Sequence, residues 1–118
     1  MNKANQLINK KCVPCEGIGK ALTLDEAKQK LSEVAGWQLN KEATAIFRQF
    51  VMKNFLAAVR FIQKVAELAE SENHHPDIHL TGYRNLKIEL STHALKGLSE
   101  NDFIMAAKIN ELDVEVKR

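Results

Sequence analysis

The stretch from Pro76 to Ser91 restricts the fold more than any other part of the sequence. Ile78 and Leu80 alternate with Asp77, His79 and Thr81. Leu86, Ile88 and Leu90 alternate with Lys87, Glu89 and Ser91. A period of two marks strands with one apolar face and one polar face. Gly82-Tyr83-Arg84-Asn85 supplies a turn between them, so the stretch reads as an antiparallel hairpin. Pro76 blocks any helix from running into it and biases His75 toward an extended conformation.

A helix precedes that hairpin. Asn54 can cap it, and Phe55, Ala58, Val59, Ile62, Val65, Ala66 and Ala69 make an apolar stripe at helical spacing. Leu56, Phe61 and Leu68 add apolar surface away from the stripe's centre. That widening suits either a better-buried core helix or one that meets a partner helix. Thr23-Leu24-Asp25-Glu26 has the form of a capping box. It opens a shorter helix with Leu24, Ala27, Leu31 and Val34 on one face, ended by Gly36.

Residues 37–40 and 44–51 read as two strands joined by a turn at residues 40–43. Ile46, Arg48 and Phe50 share a parity, while Ala45, Phe47 and Val51 blur the alternation. Ser99-Glu100-Asn101-Asp102 is a second capping-box form, opening a last helix with Phe103, Ala106, Ala107 and Ile109. The order is helix, strand, strand, helix, strand, strand, helix. The expected class is α+β, a four-stranded antiparallel sheet with three helices on one face. Residues 1–22 show no clear period and contain Pro14, Gly17 and Gly19. They read as an N-terminal arm, with residues 23–118 as a single domain.

A length of 118 residues, 45% hydrophobic and 27% charged, fits one globular domain. With 17 basic and 15 acidic residues the net charge is +2, too even to predict direct contact with nucleic acid. The apolar runs fall far short of the ~18 residues that a membrane helix needs. The opening MNKANQLINKK lacks the apolar core of a secretory signal. A cytoplasmic protein without a membrane partner is expected. The two cysteines stand as Cys12-Val13-Pro14-Cys15, with no second pair to complete a zinc site and no strand-to-helix setting for redox work. They read as reduced thiols in the arm, with metal or redox roles as alternatives.

Three of the four histidines, His74, His75 and His79, crowd into the start of the hairpin, and His93 follows its end. His75 and His79 have the i, i+4 spacing of a helical zinc pair, but on a strand that spacing spans about 13 Å. His74 and His75 point apart in an extended chain. No H-E-x-x-H pattern accompanies them, and no metal site is expected. Proton transfer fits better, because imidazole titrates near neutrality and a positioned acid or base is worth a factor of roughly 10²–10⁴. If the hairpin pairs around Gly82–Asn85, its two ends meet, and His75, Ser91 and His93 border one pocket. Structural roles remain open beside this. His74 or His75 could cap the preceding helix, and His79 could be plain strand surface.

The run Glu70-x-x-x-His74-His75-Pro76, followed by Tyr83, His93 and Asp102, resembles the pterin-4a-carbinolamine dehydratase family, whose members are also known as dimerisation cofactors of a homeodomain transcription factor. The stretch Ser91-Thr92-His93-Ala94-Leu95-Lys96-Gly97-Leu98-Ser99-Glu100 is similar to the family's second signature. Residues 10–17 resemble the arm of bacterial and plant members. One departure is a gap between Pro76 and Tyr83 one residue longer than in the animal members, with Asp77 and Ile78 where a second aromatic often stands.

The resemblance implies loss of water from a 4a-hydroxytetrahydropterin to give quinonoid dihydropterin, as in tetrahydrobiopterin recycling beside phenylalanine hydroxylase. It implies no metal and no organic cofactor, and a homodimer or homotetramer. It assigns His74, His75 and His93 as catalytic. Loss of hydroxide from the 4a carbon needs an acid at that oxygen and a base at a ring N–H, and on that chemistry His74 is expected as the acid, His93 as the base and His75 as the group that orients the pterin. Substrate-binding positions are His75, Ser91, Thr92, His93 and Asp102, with a capping-box role or the orientation of a neighbouring donor as the alternatives for Asp102. The competing reading is a non-enzymatic module on the same fold, a dimerisation cofactor of a transcription regulator or an assembly factor. A third is a metal-binding scaffold using the cysteines with His74, His75 or His79.

Overall fold

The computed structural model describes residues 3–14 and 19–118. Four strands, β1 (Gln38–Leu39), β2 (Ile46–Val51), β3 (Asp77–Thr81) and β4 (Asn85–Leu90), form one antiparallel sheet in the order β1-β2-β4-β3. The predicted hairpin is β3–β4, with Asp77 opposite Glu89 and Thr81 opposite Asn85. Gly82 and Tyr83 take positive φ, 53° and 57°, to close its turn. The extra residue after Pro76 leaves the ladder unbroken. β2 pairs with β4 along its whole length, from Ile46 opposite Leu90 to Val51 opposite Asn85. The parity read from the sequence holds: Ile46 and Phe50 are buried on the face that carries Leu86, Ile88 and Leu90.

Among the described residues, four α-helices accompany the sheet: α1 (Lys3–Ile8), α2 (Leu24–Leu31), α3 (Phe55–Glu72) and α4 (Glu100–Asn110). Both predicted capping boxes are formed, at Thr23/Glu26 and Ser99/Asp102. Asn54 caps α3 by accepting the Ala57 N–H at 2.8 Å. α4 is buried almost all round, from Asn101 to Ala107 and again at Ile109, because α1 and α3 pack on it and β4 lies against it.

Three details differ from the sequence expectation. Within the arm, Lys3–Ile8 is helical and Leu7 lies in the core, 2% exposed. A six-residue helix is too short to show a period in sequence. α2 stops at Leu31 rather than Gly36, and Leu24 on its expected apolar face is exposed, although Val34 beyond its end is buried. In α3 the buried stripe is Ala57, Ala58, Phe61, Val65 and Ala69. Phe61, expected off-centre, is core and meets Phe50 edge-on with centroids 5.2 Å apart. Phe55, Leu56 and Val59 are the large apolar residues of α3 left outside, with Ala66 exposed as well. Among the described residues, no helix is long and apolar enough to cross a membrane.

Candidate functional site

The C-terminus of α3 sets the site. Asn73 adopts the left-handed conformation, φ 53°. The N–H of His74 then returns to the Ala69 carbonyl at 3.2 Å, and that of Asn73 to Glu70 at 3.4 Å. This is a Schellman closure with Asn at the left-handed position, where it is the best-tolerated residue after Gly. Asn73 therefore ends the helix. Pro76, three residues on, keeps the chain extended into β3.

At the far end of the hairpin, β4 runs into Ser91 and Thr92. Thr92 and Gly97 form an isolated antiparallel bridge that pinches off a 3-10 turn, His93–Leu95. Gly97 is required there because a Cβ would come within 2.9 Å of the Ala21 Cβ, where Leu22 bonds the Leu98 carbonyl. Thr92 points inward and is fully buried, while His93 is exposed. Because Asp77 pairs with Glu89, the residues before β3 and after β4 lie side by side. A cleft of about 260 Å³ results, lined by Asn73, His74, His75, Pro76, Ser91 and His93 among others.

The three expected catalytic histidines thus share one cleft, but their settings differ. His74 is 7% exposed, and its Nε2 lies 2.7 Å from Asp102 Oδ1. Asp102 is fully buried. Its Oδ2 accepts the Thr92 hydroxyl at 2.9 Å and the Ser99 N–H at 3.0 Å, while Thr92 Oγ1 and Ser99 Oγ are 2.7 Å apart. Asp102 already accepts from Thr92 and Ser99, so Nε2 is assigned as a donor to it, and Nδ1 is the ring nitrogen outside this pair. His75 is more than half exposed and pairs with the exposed Glu70.

Among the expected substrate-binding residues, His75, Ser91 and His93 line the cleft, whereas Thr92 and Asp102 lie behind His74 with no surface of their own. His79 sits on the exposed face of β3 opposite Lys87, away from the cleft. Sequence reasoning missed Asn73 as the residue that aims His74, although Asn just past an apolar helical stripe is a recognised stop signal. It also missed Ser99 as a third partner of the Thr92–Asp102 pair.

The cysteine pattern divides. Cys12 donates its N–H to Glu72 Oε1 at 2.8 Å, and its Sγ faces the Asn101 carbonyl at 3.6 Å. Burial, with the Glu72 charge beside it, pushes its thiol up to about 12, so at neutral pH it is a protonated packing group. Cys15, Glu16 and Gly17 lie outside the described residues, and with them the C-x-x-C pairing. Among the described residues, no three His, Cys, Asp or Glu side chains converge in a metal-binding cluster.

The family model described as pterin 4 alpha carbinolamine dehydratase matches residues 20–112. An Arabidopsis thaliana protein named pterin-4-alpha-carbinolamine dehydratase 2, mitochondrial, is 51% identical over 112 residues. That match takes in 92% of this chain but spans only 60% of the plant protein's length. A crystal structure described as a transcriptional coactivator/pterin dehydratase from Brucella melitensis superposes with a TM-score of 0.71 at 35% identity, covering 77% of this chain and 96% of that one. A pterin dehydratase-like protein described as a RuBisCO assembly factor in the alpha-carboxysome shares the fold, with a TM-score of 0.53 at 22% identity over 64% of this chain and 86% of its own.

Proposed function

The chain belongs to the pterin 4 alpha carbinolamine dehydratase family, and on that footing we propose that it removes water from a 4a-hydroxytetrahydropterin by histidine acid–base catalysis. The observation that carries the reading is the cleft that gathers His74, His75, Ser91 and His93, with His74 tethered to buried Asp102. In the reaction the C4a–O bond breaks and the hydroxyl leaves as water with the acid's proton. A ring N–H gives its proton to the base, and its electron pair becomes the new C=N bond of the quinonoid product.

His74 suits the acid, because Asp102 holds its orientation through Nε2 and leaves Nδ1 outside that pair, on a residue that lines the cleft. His93, from a different element across the same cleft, serves as the base. His75 and Ser91 bind and orient the ring, while Thr92 and Asp102 act through His74. Recycling of tetrahydrobiopterin in the cytoplasm, beside an aromatic amino-acid hydroxylase, is the setting of this proposal. Phe55, Leu56 and Val59, exposed together at the start of α3, suit a homodimer or homotetramer contact.

The second reading, a binding or assembly module, draws on the same exposed face and on the neighbours described as a coactivator and an assembly factor. Dehydration of a freshly generated 4a-hydroxytetrahydropterin, followed by absorbance, separates the two. The enzyme reading expects the wild-type protein to speed the reaction well above its spontaneous rate. No acceleration at micromolar protein would discard it in favour of the module.

A further inference from the structure

None of the described residues of the N-terminal segment lines the cleft, yet the segment grips the chain beside both members of the His74–Asp102 pair. Glu72, the last residue of α3, stands two positions before His74. Its Oε1 accepts the Cys12 N–H at 2.8 Å and its Oε2 the Lys108 ammonium at 2.7 Å. Asn101 stands immediately before Asp102. Its Oδ1 accepts the Val13 N–H at 2.9 Å, and its Nδ2 donates to the Val13 carbonyl at 2.8 Å. Glu72 and Asn101 are buried, 7% and 2% exposed. Lys10 reaches Glu100, one residue earlier, at 2.9 Å.

We propose that residues 10–13 form a strap that sets the spacing between the end of α3 and the first turn of α4, with Asn101 as the positioning residue that carries this constraint to the His74–Asp102 pair. A segment needed only to cover apolar surface would be held by Leu7 in the core. It would not require a two-point side-chain clamp on the backbone of one residue, Val13. Two hydrogen bonds from a single amide side chain fix both the distance and the orientation of Val13 against α4. The His74–Asp102 bond depends on both, since hydrogen bonds weaken steeply as they bend. The catalytic consequence rests on the dehydratase reading, whereas the geometric coupling does not.

The test uses two full-length variants. Asn101→Ala removes the clamp from the α4 side. Val13→Pro removes one bond from the strap side at an exposed residue, without touching α4. Two quantities are read: kcat and KM for the 4a-hydroxypterin, and the NMR signal of the His74 Nε2–H with its exchange rate. The strap predicts that Asn101→Ala lowers kcat by about ten- to a hundredfold, as a misplacement approaching 1 Å does, with KM little changed. It also predicts a shifted, faster-exchanging Nε2–H, and a smaller change in the same direction for Val13→Pro. Folded variants with wild-type kcat and an unchanged signal overturn the proposal. So does a fall in kcat with the signal unmoved, because the loss then bypasses the pair. If the wild type shows no dehydratase activity, the proposed function fails, and the Nε2–H signal alone decides the strap.

Discussion

His74 Nε2 and Asp102 Oδ1 lie 2.7 Å apart, and the other oxygen of the same carboxylate accepts the Ser99 N–H that closes the cap of α4. One buried side chain thus starts a helix and holds the imidazole on the end of another. Asp102→Asn keeps the shape but replaces an acceptor with a donor in a site built of donors. It should cost about 1–3 kcal/mol of stability, measured by urea unfolding, and lower kcat at least tenfold. Thr23→Ala is the control. It removes the exposed cap of α2 for about 1 kcal/mol and should leave kcat unchanged.

Asn73 turns the chain with φ 53°. Asn73→Gly should fold as well as the wild type, because Gly adopts this conformation without strain. Asn73→Ala should lose about 1–2 kcal/mol and shift the denaturation midpoint. Equal midpoints for the two variants would remove Asn73 as the residue that sets His74.

His75 and Glu70 form an exposed pair worth little to stability. His75→Ala should therefore melt like the wild type. Its KM should rise more than its kcat falls if His75 orients the ring. A loss confined to kcat would instead give His75 a share in proton transfer.

Burial pushes the Glu72 carboxyl up, but the Lys108 ammonium and the Cys12 N–H outweigh it and hold the group below its ordinary 4.5. A depressed carboxyl contributes its stability above the unfolded value and loses it as pH falls through the folded one. Unfolding free energy should therefore decline below about pH 4.5. Glu72→Gln should flatten that part of the decline, as read from urea midpoints between pH 3 and pH 6. A slope identical to wild type would show that other carboxyls carry it.

The outward face of α3 gives a further outcome. Phe55→Ser with Leu56→Ser should lower the mass measured by light scattering and leave the protomer folded. Phe61→Ala, cut from the core, should cost about 3–5 kcal/mol. An unchanged mass for the surface double variant removes this face as the subunit contact.

What the sequence revealed follows from how local each signal is. The hairpin and both capping boxes depend on neighbours within a few residues, and all three stand where expected. The cleft was legible because antiparallel pairing around one short turn must bring the two ends of the hairpin together. The buried side of α3 was not, since Phe55, Phe61, Val59 and Val65 are alike in apolarity and only the position of the sheet and α4 chooses between them. Burial of Thr92 and Asp102 escaped for the same reason. A polar residue in a signature reads as a ligand contact until the partner that encloses it is in place. The arm's contacts with Glu72 and Asn101 span 60 and 88 residues of sequence, beyond the reach of any local pattern.

The central claim is that His74 and His93 move the two protons from one cleft. Single-turnover dehydration of a 4a-hydroxytetrahydropterin by the wild type, His74→Ala, His93→Ala and the double variant tests it most directly. Each single change should slow the chemical step by a factor of about 10²–10⁴ while the protein stays folded, and the double variant should approach the spontaneous rate. Wild-type rates in either folded single variant would contradict the account.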